Sequence, residues 1–347
     1  MIKAKLINHP LQFKLPAGTS RGILKTKPTW FIVLQHQLTG NIGVGECSLI
    51  PGLSIDNESE IDQVLASIIR KFNSGQFPTV TEYQNFPAVQ FALETALNDL
   101  AYADPFSPYP GAFTNNAKQI PINGLVWMGD KDFMLQQIQS KIEEGFKCIK
   151  MKIGAIDFDT ELALLKSIRN QFSETQIELR VDANGAFSPS EAMAKLDALS
   201  KFGIHSIEQP IKQDQWKEMA LLCANSPIPI ALDEELIGIT EKAYQIQMLD
   251  FIRPQYIILK PSLLGGIEAS NQFIEIAEKA SIGWWATSAL ESNVGLNAIA
   301  QWVSNINTDR PQGLGTGKLF TNNIYSPLVI KNGHLVHDTN LAWESLS

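Results

Sequence analysis

The sequence predicts an α/β fold, a (β/α) barrel of about eight units preceded by a smaller α+β module. Three observations carry this. Short apolar strands alternate with helical patterns from about residue 116, the first third has an antiparallel texture instead, and polar residues interrupt successive strand ends at the interval of one βα unit.

In the first third, LINHPLQFKL, WFIVLQHQL and NIGVGECSLI read as antiparallel strands, the last two joined tightly through Thr39, Gly40 and Asn41. The period then lengthens. Residues 58–72 and 88–103 place apolar side chains at helical spacing, and the second stretch is apolar nearly all round, which predicts a buried helix.

From there the pattern of strand, turn and amphipathic helix repeats through PINGLVWM, FKCIKMKIG, IELRVDANG, IHSIEQPI, PIPIALDEE, YIILKPSLL and IGWWATSAL. An eighth strand is expected near Gly313 to Gly317. Parallel βαβ units in such number close into a barrel, with a doubly wound open sheet as the alternative. No GxGxxG or GxxxxGK follows the early strands, so a nucleotide cofactor is not indicated. The tail, PLVIKNGHLVHDTN, has a hairpin signal at Asn332 and Gly333 and is expected to return to the first module. The expected units are residues 1–115 with 320–347, and 116–319.

Composition narrows the partners. Hydrophobic residues make up 44% and charged residues 18%, the balance of a globular protein. A net charge of −8 without any basic run excludes nucleic acid, which requires clustered Lys and Arg. Cys47, Cys148 and Cys223 are scattered, so neither a disulfide framework nor a thiolate zinc site is expected. No stretch reaches the roughly 20 apolar residues of a membrane span, and MIKAKLINHPLQFKL lacks the core of a secretory signal. The expected compartment is the cytoplasm. Nothing in the residues indicates an oligomeric state.

The chemistry lies at the strand ends. Lys152 to Asp182 is 30 positions, to Glu208 a further 26, to Asp233 a further 25 and to Lys260 a further 27. Side chains so spaced converge on one mouth of a barrel, where barrel enzymes keep their sites. A single strand-end Asp or Lys is usually a solvated rim residue; five in register with five successive strands are not. Three converging carboxylates raise one another's pKa unless a cation neutralises them, and an all-oxygen donor set favours Mg²⁺, with Mn²⁺ as a substitute, over zinc. Lys150 and Lys152 alternate along one strand and share a face, while Met151 points the other way. Like charges side by side depress a pKa, so one of these lysines is expected to be partly neutral near pH 7 and to act as a general base. Trp284 and Trp285 read as barrel core.

In order and spacing these motifs resemble the enolase superfamily, in its muconate-lactonizing subgroup, over nearly the whole chain. The resemblance implies a modified TIM barrel covered by a capping domain, built from the N-terminal third and the tail, that selects a small-molecule carboxylate. It implies catalytic lysines at Lys152, in the Lys150-Met151-Lys152 motif, and at Lys260, in ILKPSLLGG. It further implies metal ligands at Asp182 in VDANG, Glu208 in IEQP and Asp233 in ALDEE. Proton abstraction beside a carboxylate, through an enediolate on the way to products, is the expected reaction.

Two segments, TSRGILKTK at 19–27 and ATSALESNVGLNAIAQW at 286–302, look like those of the subgroup's dehydratases, which are carbon–oxygen lyases. From them Ser20, Arg21, Ser288 and Glu291 are expected at the substrate, together with Lys150 and Asn184. Dipeptide epimerases of the subgroup carry an Asp-x-Asp where this chain reads TSALES. Epimerisation of dipeptides or racemisation of N-acyl amino acids is the alternative activity, and a non-catalytic metal-binding barrel the alternative of another class.

Overall fold

The computed structural model describes residues 1–19, 22–306 and 308–346, with side chains omitted over 16–19 and 22–23. The first third forms β1 (Ile2–Asn8), β2 (Leu11–Thr19), β3 (Gly22–Lys27), β4 (Thr29–His36) and β5 (Ile42–Ser48), then helices α1 (Ile61–Asn73) and α2 (Pro87–Leu100). LINHPLQFKL breaks at His9 and Pro10, because proline has no amide to continue the ladder. Its two halves enter different sheets: β1, β4 and β5 form one antiparallel sheet, and β2 pairs with β3. Strand β4 is apolar without alternation because both its faces are covered. Trp30, Ile32 and Leu34 pack under α1 and α2, while Phe31 and Val33 face Phe106, Val294 and Ile324.

Helix α2 is buried as its all-round apolarity predicts. Gly43 and Gly45 of β5 let it seat directly on the strand, since a Cβ at either would collide with the Ala96 or Ala92 carbonyl. Its far side reaches the barrel, where Phe91 joins the main core.

After β6 (Ile120–Pro121), seven parallel strands follow: β7 (Gly124–Val126), β8 (Cys148–Lys152), β9 (Glu178–Asp182), β10 (Ile204–Glu208), β11 (Ile230–Leu232), β12 (Tyr256–Leu259) and β13 (Gly283–Ala286). They pair in sequence order, β7 through β13. The helices between and after them are α3 (Lys131–Glu143), α4 (Phe158–Arg169), α5 (Pro189–Ser200), α6 (Trp216–Asn225), α7 (Lys242–Ile252), α8 (Pro261–Leu264), α9 (Ile267–Lys279) and α10 (Asn293–Ser304). Where an eighth strand is expected, Gln312 and Gly313 make isolated parallel bridges to Ile122 and Thr287 and close the ring. Glycines at 313, 315 and 317 explain why no longer strand forms, since they offer a ladder little side-chain packing.

Alternation along the barrel strands divides their side chains. Ile149, Met151, Leu179, Val181, Ile207 and Leu232 join the large cluster under the helices, whereas Ala231, Ile258 and Trp285 form a separate interior cluster. Trp284 lies in the former, and Trp285 in the latter stacks 4.1 Å from the Arg180 guanidinium, so both tryptophans are core.

The tail hairpin, β14 (Leu328–Lys331) and β15 (His334–His337), turns through Asn332 and Gly333, both with positive φ, and pairs with β6 at the start of the barrel. Beyond it the chain reaches the first module. Trp343 stacks on Phe106 with centroids 4.3 Å apart, and the Leu346 carbonyl accepts from Lys5.

Candidate active site

Six of the predicted residues meet at the carboxyl ends of β8 to β12. Lys150 and Lys152 sit two apart on β8 and both face inward, with Met151 buried on the opposite side. Asp182 and Glu208 end β9 and β10; Asp233 and Lys260 directly follow β11 and β12. The Lys150 ammonium bridges two carboxylates, 2.9 Å from Asp182 Oδ2 and 2.5 Å from Glu208 Oε2. Lys152 lies 3.0 Å from Asp182 Oδ2 and 2.6 Å from Asn184 Oδ1. Lys260 pairs with Asp233 and stands 3.8 Å from Glu208 Oε1. Three ammoniums thus balance three carboxylates that are each at most 2% exposed.

The electrostatics differ from member to member. Burial pushes Asp182 up, but Lys150, Lys152 and Lys260 outweigh it and hold the carboxyl well below its usual range. Glu208 is pushed up to about 7 by burial and by Asp182, with Lys150 opposing. Asp233 is raised by burial, against Lys260. The expected mutual depression of the lysines does not hold for Lys150. Burial lowers it, but Asp182, Glu208 and Asp233 together raise it above the usual lysine value, because it touches carboxylates on two neighbouring strands.

Among the described residues, no three His, Cys, Asp or Glu side chains stand in a group arranged to hold an ion, because the ammoniums lie between the carboxylates. The donor chemistry nevertheless fits a hard divalent cation. All three acids are buried, two are raised in pKa, and Glu208 Oε1 is a buried acceptor with no hydrogen bond.

Above the cluster a cleft is lined by Lys150, Lys152, Asp182, Asn184 and Lys260. The N-terminal module contributes Leu24, Ile50 and Leu53 to it, and the segment after β13 contributes Ser288 and Leu290. Glu291 does not line the cleft; fully buried, it accepts the Ser288 hydroxyl at 2.5 Å and that of Ser262. Ser20 and Arg21 lie outside the described residues.

Sequence reasoning passed over Gln209. Buried, with φ 40°, it accepts from the Asp233 amide at 3.1 Å and donates to Glu235, so it sets the backbone that carries Asp233. Its position between Glu208 and Pro210 is the available signal.

A family model described as enolase C-terminal domain-like matches residues 134–340. The chain is 51% identical to an o-succinylbenzoate synthase of Desulfotalea psychrophila, over 94% of this chain and 96% of that protein. A crystal structure of MenC from the same organism matches with a TM-score of 0.86 at 46% identity, covering 96% of this chain and 99% of the other. A D-Ala-D/L-Ala epimerase of Cytophaga hutchinsonii is 28% identical, over 86% of this chain and 82% of that protein.

Proposed function

Because the chain belongs to the enolase superfamily, in its o-succinylbenzoate synthase family, we propose that it dehydrates 2-succinyl-6-hydroxy-2,4-cyclohexadiene-1-carboxylate to o-succinylbenzoate, as a step of menaquinone biosynthesis in the cytoplasm. The observation that carries this reading is the 51% identity across nearly the full length of both proteins. Epimerase relatives stand far lower, near 28%. No helix among the described residues is long and apolar enough to cross a membrane.

Lys152, held by Asn184 Oδ1 and Asp182, removes the proton alpha to the substrate carboxylate. Negative charge then spreads onto that carboxylate as the enediolate forms. Lys260, four strands round the ring from Lys152, sets its ammonium against the other face and stabilises the developing charge. The ring electrons next expel the hydroxyl, and Lys152 returns its proton to that group on the same face, so water leaves and the ring aromatises. A Mg²⁺ held by Asp182, Glu208 and Asp233 would supply fixed positive charge near the substrate carboxylate and, by neutralising those acids, would favour the uncharged amine on Lys152 while Lys260 stays an ammonium.

Residues 1–115 with 320–347 act in this reading as a cap over the barrel of 116–319, since Leu24, Ile50 and Leu53 close the cleft from above. The test is direct: purified protein, substrate and Mg²⁺, with aromatisation followed by absorbance, repeated with chelator. Dehydration that stops with chelator is expected, and no absorbance change in either sample overturns the reading.

A further inference from the structure

Behind the wall of the cleft lies a second charged cluster that the proposed chemistry does not use. Lys27, the last residue of β3, is fully buried. Its ammonium donates to Ser48 Oγ at 2.7 Å and to the Leu290 carbonyl at 2.9 Å. Two buried acids, Glu46 and Glu291, act on its charge. Glu46 accepts from the Ser292 amide at 2.8 Å, its hydroxyl at 2.5 Å and the Gly295 amide at 2.8 Å, which binds β5 to the start of α10. Glu291 accepts from Ser288 and from Ser262, which is two residues beyond Lys260.

Lys27, Glu46 and Ser48 come from the N-terminal module; every partner from 262 to 295 belongs to the barrel. A buried ammonium is costly and needs compensation, and here part of that compensation is a backbone carbonyl in the cleft wall. The residue bearing it, Leu290, has φ 63°, a left-handed conformation that leucine holds only when its surroundings impose it. Ser288 and Leu290 both line the cleft, so Lys27 acts on the substrate-facing wall from behind.

We propose that Lys27 is a positioning residue for the reaction: anchored in the N-terminal module, it holds the Leu290 carbonyl and the Glu291 network so that the Ser288–Leu290 wall takes its substrate-binding shape. The inference rests on the dehydration reading. It is tested by steady-state kinetics of Lys27→Met and Ser48→Ala beside wild type, with the folded fraction of each measured by circular dichroism. Lys27→Met is expected to raise KM tenfold or more and to lower kcat less. Ser48→Ala, which removes one support and leaves the charge, is expected to raise KM two- to fivefold. A folded Lys27→Met with wild-type KM, or one whose activity falls only in proportion to its folded fraction, overturns the inference. If Lys27→Met does not fold, a folded Ser48→Ala with unchanged KM overturns it equally. Wild type without turnover overturns the dehydration reading and this inference together; turnover with both variants unchanged overturns this inference alone.

Discussion

Lys152 Nζ lies 2.6 Å from Asn184 Oδ1, and Asn184 reaches that position from a left-handed backbone with φ 44°. Asparagine tolerates this conformation better than most residues, so VDANG supplies both a metal-ligand candidate and the amide that would aim the proposed base. Asn184→Ala is expected to lower kcat about tenfold or more with a smaller effect on KM. Asn184→Asp places a further carboxylate against the ammonium, and its activity is expected to be poor at neutral pH and to recover as pH rises. A pH–rate profile matching wild type would show that Asn184 does not orient Lys152.

In the proposed dehydration the two lysines divide the work. Lys152→Ala is expected to lower kcat by roughly 10² to 10⁴, the usual contribution of a general base. Lys260→Ala removes the opposing cation and is expected to abolish turnover, whereas Lys260→Arg keeps the charge and retains part of the dehydration. Any racemisation of N-acyl amino acids needs proton exchange on both faces and is expected to disappear in Lys260→Arg. Chiral chromatography beside the absorbance assay checks this, and equal loss of the two activities would contradict the division.

Cation binding has a readout independent of turnover. Glu208 Oε1 is buried without a hydrogen bond, so a divalent ion held there would satisfy it only in the folded state. Adding Mg²⁺ to chelated protein is expected to raise the thermal midpoint, and Glu208→Gln is expected to remove most of that rise. Scanning calorimetry on both proteins decides it: an equal rise in each would remove Glu208 from the ligand set.

Glu94 of α2 caps α9, accepting the Ile267 and Glu268 amides at 2.7 and 3.1 Å. Burial raises its pKa from 4.5 to about 7 despite those donors. The folded protein therefore binds this proton more tightly than the unfolded chain. The stability it contributes is complete below about pH 4.5 and is lost as pH rises through about 7. In urea unfolding, Glu94→Gln is expected to flatten the decline across that window by on the order of 3 kcal/mol. Parallel declines in variant and wild type would refute the assignment.

Much of this was legible in the residues, for a local reason. Strand alternation alone puts Lys150 and Lys152 on one face and Met151 on the other, and the length of a βα unit places Asp182, Glu208, Asp233 and Lys260 at successive strand ends. These periods are properties of the backbone and appear wherever the pattern is read. The break at His9 and Pro10 was equally local, but the apolar and polar alternation across it hid the proline.

What only the tertiary structure decided involves residues far apart in the chain. Lys150 is raised in pKa because Asp182 and Glu208, 32 and 58 positions away, flank it more closely than charge counting along β8 suggests. Glu291 turned out to hold Ser288 and Ser262 instead of facing the cleft, and Lys27 supports Leu290 across 263 positions. No periodicity encodes such pairs, since each depends on how one packed module meets another and on which buried charge is left needing a partner.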